Sequence, residues 1–388
     1  MLTIAGSGIN DYSLQELSQK VCFSDFDCLI ADVNFNTPAN KELISNSVQV
    51  KFLSCKDIKP FILENTIKKV LYVVTGSPLF FSAAQVIMKD IKDVNLIPAE
   101  SSKDYFLKKL GIAENEVTSL SLHGRESVDL TKFLTTKYTF VLCDKDSIEK
   151  LSELTYYIKD DLIFYLGSKL GSVDERIETV NLYDINAEAC VPYVLLIEKK
   201  FSSINEGFET NAGMITKADK RVLTIQALEL EPNMTMWDIG AGSGSVSIEA
   251  YKFFKINTVL FEKNEAQCRF IKKNLSNHKV ASAKLSEGDV LENYENQPKP
   301  DRIFIGGGGE AVLSRIKLFY DELKDNGILV ANIIGMENLT EALSSLKNSD
   351  LTYEIRRIDL TYYKKISENI QLSIPEPERS LYQLILRK

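Results

Sequence analysis

Short apolar runs alternate with longer amphipathic segments along the whole chain, and this alternation limits the fold more than any other feature of the sequence. Such alternation is typical of βαβ units, in which parallel strands are joined by helices. In the first half, the predicted strands cover residues 2–5, 28–33, 70–75, 138–143 and 162–166. Each run ends near Gly, Asp or Asn, where parallel sheets place their ligand-binding loops.

The second half predicts five successive strand–helix units and a terminal hairpin, which is the order of a Rossmann-like domain. The predicted helices cover residues 216–228, 245–254, 265–274, 311–323 and 338–346. The predicted strands cover residues 234–239, 258–261, 302–305 and 328–334, with a further strand before Gly288 and β-rich runs at 353–362 and 381–386. Thr216 is the candidate N-cap of the first helix, since Asp219 stands in its first turn.

The 388 residues suffice for two or three domains. Residues 201–212 are polar and aperiodic, so we predict a linker between a module over residues 1–200 and a domain over residues 213–388. A gap near Pro98 divides the first module into two α/β lobes, about residues 1–99 and 100–200.

The composition excludes several classes of function. Lys and Arg total 46 against 54 Asp and Glu, so no surplus of cations predicts a nucleic-acid partner. Two histidines, and six cysteines without a C-x-x-C pair, argue against a metal site, a His-centred hydrolase and disulfides. With no signal peptide and no apolar stretch of about 20 residues, we expect a cytoplasmic protein without a membrane partner.

The strongest local signal is the run Trp-Asp-Ile-Gly-Ala-Gly-Ser-Gly at residues 237–244, between a predicted strand and a predicted helix. Glycine permits the turn and a close backbone approach, and the helix N-terminus offers free N–H groups. The spacing differs from the dinucleotide G-x-G-x-x-G, and Asp238 would repel a pyrophosphate. Glu262 ends the next predicted strand, where a carboxylate can accept both ribose hydroxyls. These features favour S-adenosylmethionine over NAD, with a plain structural turn as the alternative.

Two further loops follow predicted strands. Asp289 is expected to contact the adenine, although an ordinary turn would also explain Gly288 and Asp289. Four consecutive glycines occupy residues 306–309, where Gly306 and Gly307 are predicted to let a large flat substrate approach the backbone. A flexible loop is the alternative.

Three runs resemble the decarboxylating precorrin methyltransferases of cobalamin biosynthesis. They are Thr-Lys-Ala-Asp-Lys-Arg at 216–221, the glycine-rich run extended over 237–249, and Asp-Arg-Ile-Phe-Ile-Gly-Gly at 301–307. The resemblance covers about residues 205–388 and implies a Rossmann-like, S-adenosylmethionine-dependent methyltransferase domain. Together with the residues themselves it implies the cofactor contacts Thr216, Asp238, Gly240, Ala241, Gly242, Ser243, Gly244, Glu262 and Asp289.

The first half resembles the tetrapyrrole methylase superfamily, also in three runs. They are Val-Val-Thr-Gly-Ser-Pro-Leu-Phe-Phe at 73–81, Ser-Leu-His-Gly-Arg at 121–125, and Leu-Gly-Ser-Val-Asp-Glu-Arg-Ile at 170–177. The resemblance implies a two-lobed fold with S-adenosylmethionine in the cleft, contacted by Gly76, Ser77 and Pro78. His123 and Arg125 are candidate substrate contacts, with structural hydrogen bonding as the alternative for His123. Ser77 stands where the family usually has Asp, and residues 6–10 lack the third glycine of the usual opening, so a slower or altered methylase is expected here.

Together the halves resemble the fused precorrin-6Y methyltransferases, which methylate ring positions 5 and 15 and decarboxylate an acetate arm. In that chemistry the donor and the electron-rich ring supply the reactivity, so few catalytic bases are needed. The ring carboxylates predict basic contacts at Lys217, Lys220, Arg221 and Arg125, with a solvated helix face as the alternative. The resemblance also suggests a homo-oligomer formed through the C-terminal domain. An RNA or protein methyltransferase and a non-catalytic S-adenosylmethionine-binding scaffold stay open as alternatives.

Overall fold

The computed structural model describes residues 1–10, 12–44, 48–64, 69–186, 190–200, 207–210, 215–347, 349–367 and 370–388. The predicted linker at 201–212 lies outside these residues except for 207–210. Contacts divide the chain into two units. The first comprises Met1–Ser127, Leu134–Ile148 and Ile163–Lys199, and the second comprises Val128–Phe133, Glu149–Leu162 and Lys200–Lys388.

Two short segments that the sequence assigns to the N-terminal module belong to the second unit by their contacts. The backbone N–H of Ser282 donates to the carbonyl of Leu154 at 2.9 Å. The N–H of Leu130 donates to Oδ1 of Asn233 at 2.8 Å. Such long-range pairings leave no periodic signal in the sequence, and the domain boundaries stay a prediction.

The first unit contains two sheets of five strands each within the described residues. The strands are β1 (Leu2–Gly6), β2 (Cys28–Asp32), β3 (Gln49–Leu53), β4 (Val70–Val74), β5 (Val94–Ile97), β6 (Val117–Ser121), β7 (Tyr138–Leu142), β8 (Leu162–Ser168), β9 (Arg176–Val180) and β10 (Tyr193–Lys199). The first sheet has the order β3-β2-β4-β1-β5 and the second the order β6-β7-β10-β8-β9. The pairs of the first sheet are parallel, whereas β7–β10 and β8–β9 are antiparallel.

Short helices connect these strands. They are α1 (Gln15–Ser18), α2 (Pro38–Ile44), α3 (Cys55–Glu64), α4 (Ala84–Asp90), α5 (Ser102–Leu110) and α6 (Ser147–Thr155). Capping residues set both ends of helix α5. Ser101 and Asp104 form a reciprocal capping box, and Gly111 ends the helix in the left-handed conformation.

The second unit is built around a sheet of seven strands among its described residues. The strands are β11 (Thr235–Ile239), β12 (Asn257–Glu262), β13 (Ala283–Glu287), β14 (Arg302–Ile305), β15 (Ile328–Ile333), β16 (Tyr353–Ile358) and β19 (Leu381–Arg387), with a separate hairpin of β17 (Thr361–Ser367) and β18 (Ile370–Pro377). The helices are α7 (Ala218–Ala227), α8 (Ser245–Phe254), α9 (Glu265–Asn277), α10 (Val290–Asn293), α11 (Gly309–Leu313), α12 (Ile316–Glu322) and α13 (Met336–Leu346). The strand order β13-β12-β11-β14-β15-β19-β16, with β19 antiparallel to its neighbours, confirms the predicted Rossmann-like α/β fold.

Alternation along the strands produces two apolar layers, one on each face of this sheet. Trp237, Ile303 and Leu329 belong to one buried cluster, whereas Met236 and Phe304 belong to the other. Because successive strand residues point to opposite faces, helices must cover both sides of the sheet. The chain therefore forms a doubly covered sheet whose strand ends are left for loops.

Three details of the predicted elements are wrong. Thr216 is not the N-cap of α7, since that helix begins at Ala218 after Lys217. The helix predicted over 311–323 is divided into α11 and α12, because Arg315 leaves the helical conformation with φ −121°. The prediction omitted β3, β5, β6, β9, β10 and β18. The first four are exposed or only partly buried at most of their positions and so have weak apolar signals, whereas β10 is buried over residues 193–197 and was missed despite its apolar run.

Among the described helices, none combines the length and the apolarity needed to cross a bilayer. Cys28, Cys143 and Cys268 are buried free thiols, whereas Cys22 is exposed. No group of three His, Cys, Asp or Glu side chains within the described residues is placed to hold a metal ion.

The guanidinium of Arg302, at the start of β14, forms hydrogen bonds with three loops. Its side chain is buried and donates to the carbonyls of Leu228 (2.5 Å), Asp301 (2.8 Å), Asn326 (3.3 Å) and Glu229 (3.0 Å). Each carbonyl would be left without this charged donor if the side chain were removed.

We therefore expect Arg302→Ala to lower the free energy of unfolding of the second unit by about 3 kcal/mol, since buried acceptors lose a charged partner. Urea unfolding followed by the fluorescence of Trp237 measures this, because Trp237 is the single tryptophan of the chain and lies in this core. The matched control Arg269→Ala removes an exposed side chain and should change the value by less than about 0.5 kcal/mol. Equal destabilisation in both variants would contradict this account.

Candidate active site

Two glycine loops meet at the carboxyl ends of β11 and β14. The strands are parallel neighbours with Ile239 opposite Ile305, and the N–H of Gly306 donates to the carbonyl of Ile239 at 2.9 Å. Gly240 has φ +71°, and a Cβ atom there would lie 2.6 Å from Cα of Gly307. Only glycine allows this approach, so the first loop packs directly on the second.

Glu262, at the end of β12, holds the first glycine loop from the other side. Its Oε2 accepts from the N–H of Gly242 and its Oε1 from the N–H of Asn264, both at 2.9 Å. Asn264 in turn caps α9 by accepting from Ala266 and Gln267. Each carboxylate oxygen keeps a further lone pair for a ligand. The residue predicted to bind ribose therefore also fixes the loop.

Asp289 lies beside Glu262 because the loop after β13 folds back. The N–H of Gly288 donates to the carbonyl of Glu262 at 2.9 Å, and Asp289 caps α10 by accepting from the N–H of Leu291 at 3.0 Å. Asp289 therefore shapes a turn and also lines the pocket described next, and its predicted contact with the adenine stays a prediction.

The loops line an open pocket of about 120 Å³. Four of the predicted residues line it: Gly240, Glu262, Asp289 and Gly307. The remaining lining residues are Ile239, Phe261, Lys263, Gly288, Val290, Gly308, Ala311 and Val312.

Sequence reasoning did not single out Lys263, the one cation among these lining residues. Its position directly after Glu262 was the signal that could have found it. The apolar residues of the pocket gave no such signal, since an apolar residue at a strand end looks the same whether it faces a ligand or the core.

Asp238 is held behind the glycine loop and is not a lining residue of this pocket. Its side chain is 1% exposed, its Oδ2 accepts from the hydroxyl of Ser247 at 2.7 Å, and its Oδ1 is buried with no hydrogen-bond donor among the described residues. Burial raises the pKa of Asp238 to about 7, and the nearby charge of Glu262 acts in the same direction. A cofactor contact by this side chain stays a prediction.

The basic residues near the start of α7 divide into two kinds. Arg221 is buried, and its guanidinium donates to the carbonyl of Thr216 and to Oε1 of Glu249, each at 2.5 Å. Lys220 is also buried and donates to the carbonyl of Arg379 at 2.7 Å. Both side chains are hydrogen-bonded inside the domain, whereas Lys217 is exposed. Their predicted role as substrate contacts stays a prediction.

In the first unit, the structure brings together two of the three N-terminal motif runs. The loops after β1 and β4 pair through Gly8 and Gly76, with Gly76 donating to the carbonyl of Gly8 at 3.1 Å. Gly171 has φ +75°, and a Cβ there would lie 2.3 Å from the carbonyl oxygen of Ile9, so the loop after β8 packs on the loop after β1. Ser77 and Pro78 follow Gly76 directly in this cluster of loops.

Glu175 holds this N-terminal loop cluster in place. Its Oε2 accepts from the N–H of Gly171 and from the hydroxyl of Tyr105, both at 2.7 Å. These hydrogen bonds and Lys109 outweigh burial and lower the pKa of Glu175. His123 and Arg125 lie exposed on the loop after β6, and their substrate role stays a prediction.

The sequence of the second unit has recognised relatives. Residues 206–380 match the family described as the precorrin methyltransferase domain. The chain is 32% identical over 158 residues to a probable cobalt-precorrin-6B C(15)-methyltransferase (decarboxylating) of Pyrobaculum calidifontis, a match that covers 40% of this chain and 80% of that protein. The chain belongs to the precorrin methyltransferase family.

A second relative of this precorrin methyltransferase extends the similarity. The precorrin-6Y C(5,15)-methyltransferase [decarboxylating] of Sinorhizobium sp is 26% identical over 314 residues, covering 75% of this chain and 74% of that protein. The crystal structure of precorrin-6Y C5,15-methyltransferase from Geobacter metallireducens is 31% identical, with a TM-score of 0.43, covering 47% of this chain and 94% of that one.

The buried Asp238 predicts how the stability of this methyltransferase depends on pH. Because the folded state raises the pKa from 3.8 to about 7, the folded protein binds a proton more readily than the unfolded chain. The stability contributed by this group therefore falls as pH rises from about 4 to about 7. Between pH 5 and pH 8 the free energy of unfolding should fall by about 2 kcal/mol more than in Asp238→Asn.

Urea unfolding at a series of pH values, followed by Trp237 fluorescence, measures this difference. Asp325→Asn alters an exposed carboxylate and is the control that should keep the wild-type slope. A wild-type slope in Asp238→Asn would refute the prediction.

Proposed function

We propose that this chain transfers methyl groups from S-adenosylmethionine to carbons 5 and 15 of a precorrin or cobalt-precorrin ring and releases carbon dioxide from an acetate arm. The observation that carries the proposal is the pocket in which Gly240, Glu262, Asp289 and Gly307 meet. The names of the relatives support the ring chemistry, since they are methyltransferases of precorrins or cobalt-precorrins.

The residues around the pocket fit a nucleoside that carries a sulfonium group. Glu262 offers carboxylate oxygens to ribose hydroxyls, and Asp289 stands beside it on the pocket wall. Phe261 and Val290 give an apolar surface suited to a flat base. A Cβ at Gly242 would meet no atom within 4 Å, so open space adjoins the loop beside Glu262. When bound, S-adenosylmethionine supplies an electrophilic methyl group.

The chain contributes position to this chemistry rather than a histidine acid or base. His278 is buried, its Nε2 donates to the carbonyl of Gly207 at 3.1 Å, and its Nδ1 accepts from Nζ of Lys252 at 2.8 Å. Burial, with the nearby charge of Lys252, lowers the pKa of His278, and both ring nitrogens are engaged in structural hydrogen bonds. Gly307 and Gly308 leave one pocket wall without side chains, which lets a ring carbon approach. Alignment of two reactants can remove roughly 7–11 kcal/mol of barrier.

The ring carboxylates need cations that are free to meet them. Since Lys220 and Arg221 are engaged inside the domain, we assign this role to Lys263 on the pocket wall and to exposed Lys217. This assignment places positive charge at the substrate site, although the net charge of the whole chain is −8.

The first unit is proposed to be the tetrapyrrole methylase module over residues 1–200, in two lobes, which methylates the second position. Support comes from the loop cluster of Gly8, Gly76 and Gly171. It also comes from the Sinorhizobium relative, because a match covering 75% of this chain must extend well before residue 206. Ser77 in place of the usual Asp lowers the expected affinity for the donor in this half. Self-association through the C-terminal domain stays a prediction.

The product mass tests the proposed reaction. Purified protein incubated with S-adenosylmethionine and precorrin-6Y or its cobalt form should give a product that gains two methyl groups and loses one carbon dioxide. An unchanged ring with methyl label on tRNA or protein would favour the alternative methyltransferases. Donor binding without transfer to any of these would favour the scaffold.

Loop variants test which half binds which donor. Gly242→Val should abolish donor binding at the C-terminal site, because a branched side chain fills the space beside Glu262, and the product should then gain one methyl group without decarboxylation. Glu262→Gln should raise Kd there at least about tenfold through the loss of charge-assisted hydrogen bonds. Titration calorimetry of the full chain measures both.

Gly111→Val is the matched control, since Gly111 also has positive φ (+68°) with no atom within 4 Å of its Cβ position. It lies at the end of α5 and should leave the C-terminal affinity unchanged. Wild-type affinity at both sites in Gly242→Val and Glu262→Gln would overturn the site assignment.

A further inference from the structure

Asn274 joins two parts of the second unit that are far apart in sequence. The side chain is fully buried near the end of α9. Its Nδ2 donates to the carbonyl of Ser243, in the glycine loop, and to the carbonyl of Glu209, both at 2.9 Å. Its Oδ1 accepts from the N–H of Glu209 at 2.8 Å. Both amide protons and one oxygen lone pair are therefore used in this junction.

Residues 207–210, which precede the Rossmann-like core, are anchored at further points. Phe208 stacks on His278 with ring centroids 4.4 Å apart and lies 5.2 Å from the guanidinium of Arg221. His278 donates to the carbonyl of Gly207. Lys273 pairs with Glu209 at 2.5 Å. A segment predicted as linker is thus attached to one end of α9.

The glycine loop is held at two points by the β12–α9 element. At the end of β12, Glu262 accepts from Gly242, and near the end of α9, Asn274 donates to Ser243. Of Glu262 and Asn274, only Asn274 also contacts residues 207–210 in the described part of the chain. An amide whose partners leave would be buried and unsatisfied, at a cost comparable to a hydrogen bond. Order in the segment and order in the loop therefore favour each other.

We infer that Asn274 is a positioning residue through which residues 207–210 preorganise the glycine loop for its nucleoside ligand. The inference rests on the proposed function, since the loop is taken as the donor site. Coupling between two sites is reciprocal, so a ligand on the loop must also tighten the segment. Rigidity gained in one place lowers the entropic cost in the other.

Phe208→Ala is the decisive variant because its ring contacts are with His278 and Arg221 and it is not among the lining residues of the pocket. Titration of the full chain with S-adenosylhomocysteine should show a Kd at least threefold higher at the C-terminal site, identified as the isotherm that Gly242→Val lacks. In turnover, KM for the donor should rise with kcat unchanged, and Phe208→Tyr should retain wild-type values. Phe253→Ala, at an exposed Phe of the same unit, is the control and should keep the wild-type Kd.

Hydrogen exchange at the amide of Glu209 tests the reciprocal effect without any dependence on activity. S-adenosylhomocysteine should slow this exchange at least fivefold in the wild type and should not slow it in Asn274→Ala. Asn277→Ala, in the same helix, is the control and should behave as the wild type does.

Two results would overturn the inference, and they are distinguishable. If the wild type binds S-adenosylhomocysteine but Phe208→Ala keeps its affinity and Glu209 exchange ignores the ligand, the coupling is refuted and the proposed function stands. If the wild type binds no S-adenosylhomocysteine at the C-terminal site, both are refuted. Should Phe208→Ala unfold, as Trp237 fluorescence would report, the exchange measurement on the wild type alone still decides.

Discussion

The direct contact between two backbone turns at Gly240 and Gly307 is the constraint on which the C-terminal site depends. Parallel pairing of β11 and β14 brings both strands to the same edge, and the missing side chains let the turns touch. Every other wall of the pocket is arranged around this contact. Glu262 supports the first loop from β12, and Gly288 returns to Glu262 to place Asp289. Hydrogen bonds between loops, rather than one dominant side chain, therefore define the site.

The charge available to a ligand depends on which cations are already engaged inside the fold. A chain with an excess of eight acidic groups can meet a polyanion only through cations that are not already paired inside the fold. Lys220 and Arg221 are buried among carbonyls and carboxylates, where they connect α7 to the terminal strands and to α8. Lys263, beside Glu262, is instead a lining residue of the pocket. Sequence proximity to a motif does not reveal which way a helix turns its side chains, so it could not show that Lys220 and Arg221 are buried.

The elements that the sequence predicted well share a strong physical signal. Helix α8 and strand β14 have the predicted bounds, since caps, glycine and continuous apolar residues mark their ends. The break in the helix predicted over 311–323 lacks such a mark. Arg315 leaves the helical conformation there with φ −121°, although neither glycine nor proline stands at that position. Residues 207–210 are polar around Phe208, so their attachment to α9 could not be distinguished from a free linker.

The sequence by itself determined the alternating α/β architecture of the second unit, the glycine loop at the end of its first strand and the acidic residue at the end of the next. These are local properties of propensity, spacing and turn chemistry. Only the tertiary structure decided which distant residues meet. It brings Gly307 against Gly240 and lets Asn274 join Ser243 to Glu209. It also buries Asp238, whose pKa is raised, and turns Arg221 inward. Each of these depends on residues tens of positions apart meeting in the folded chain, and no local pattern in the sequence encodes such a meeting.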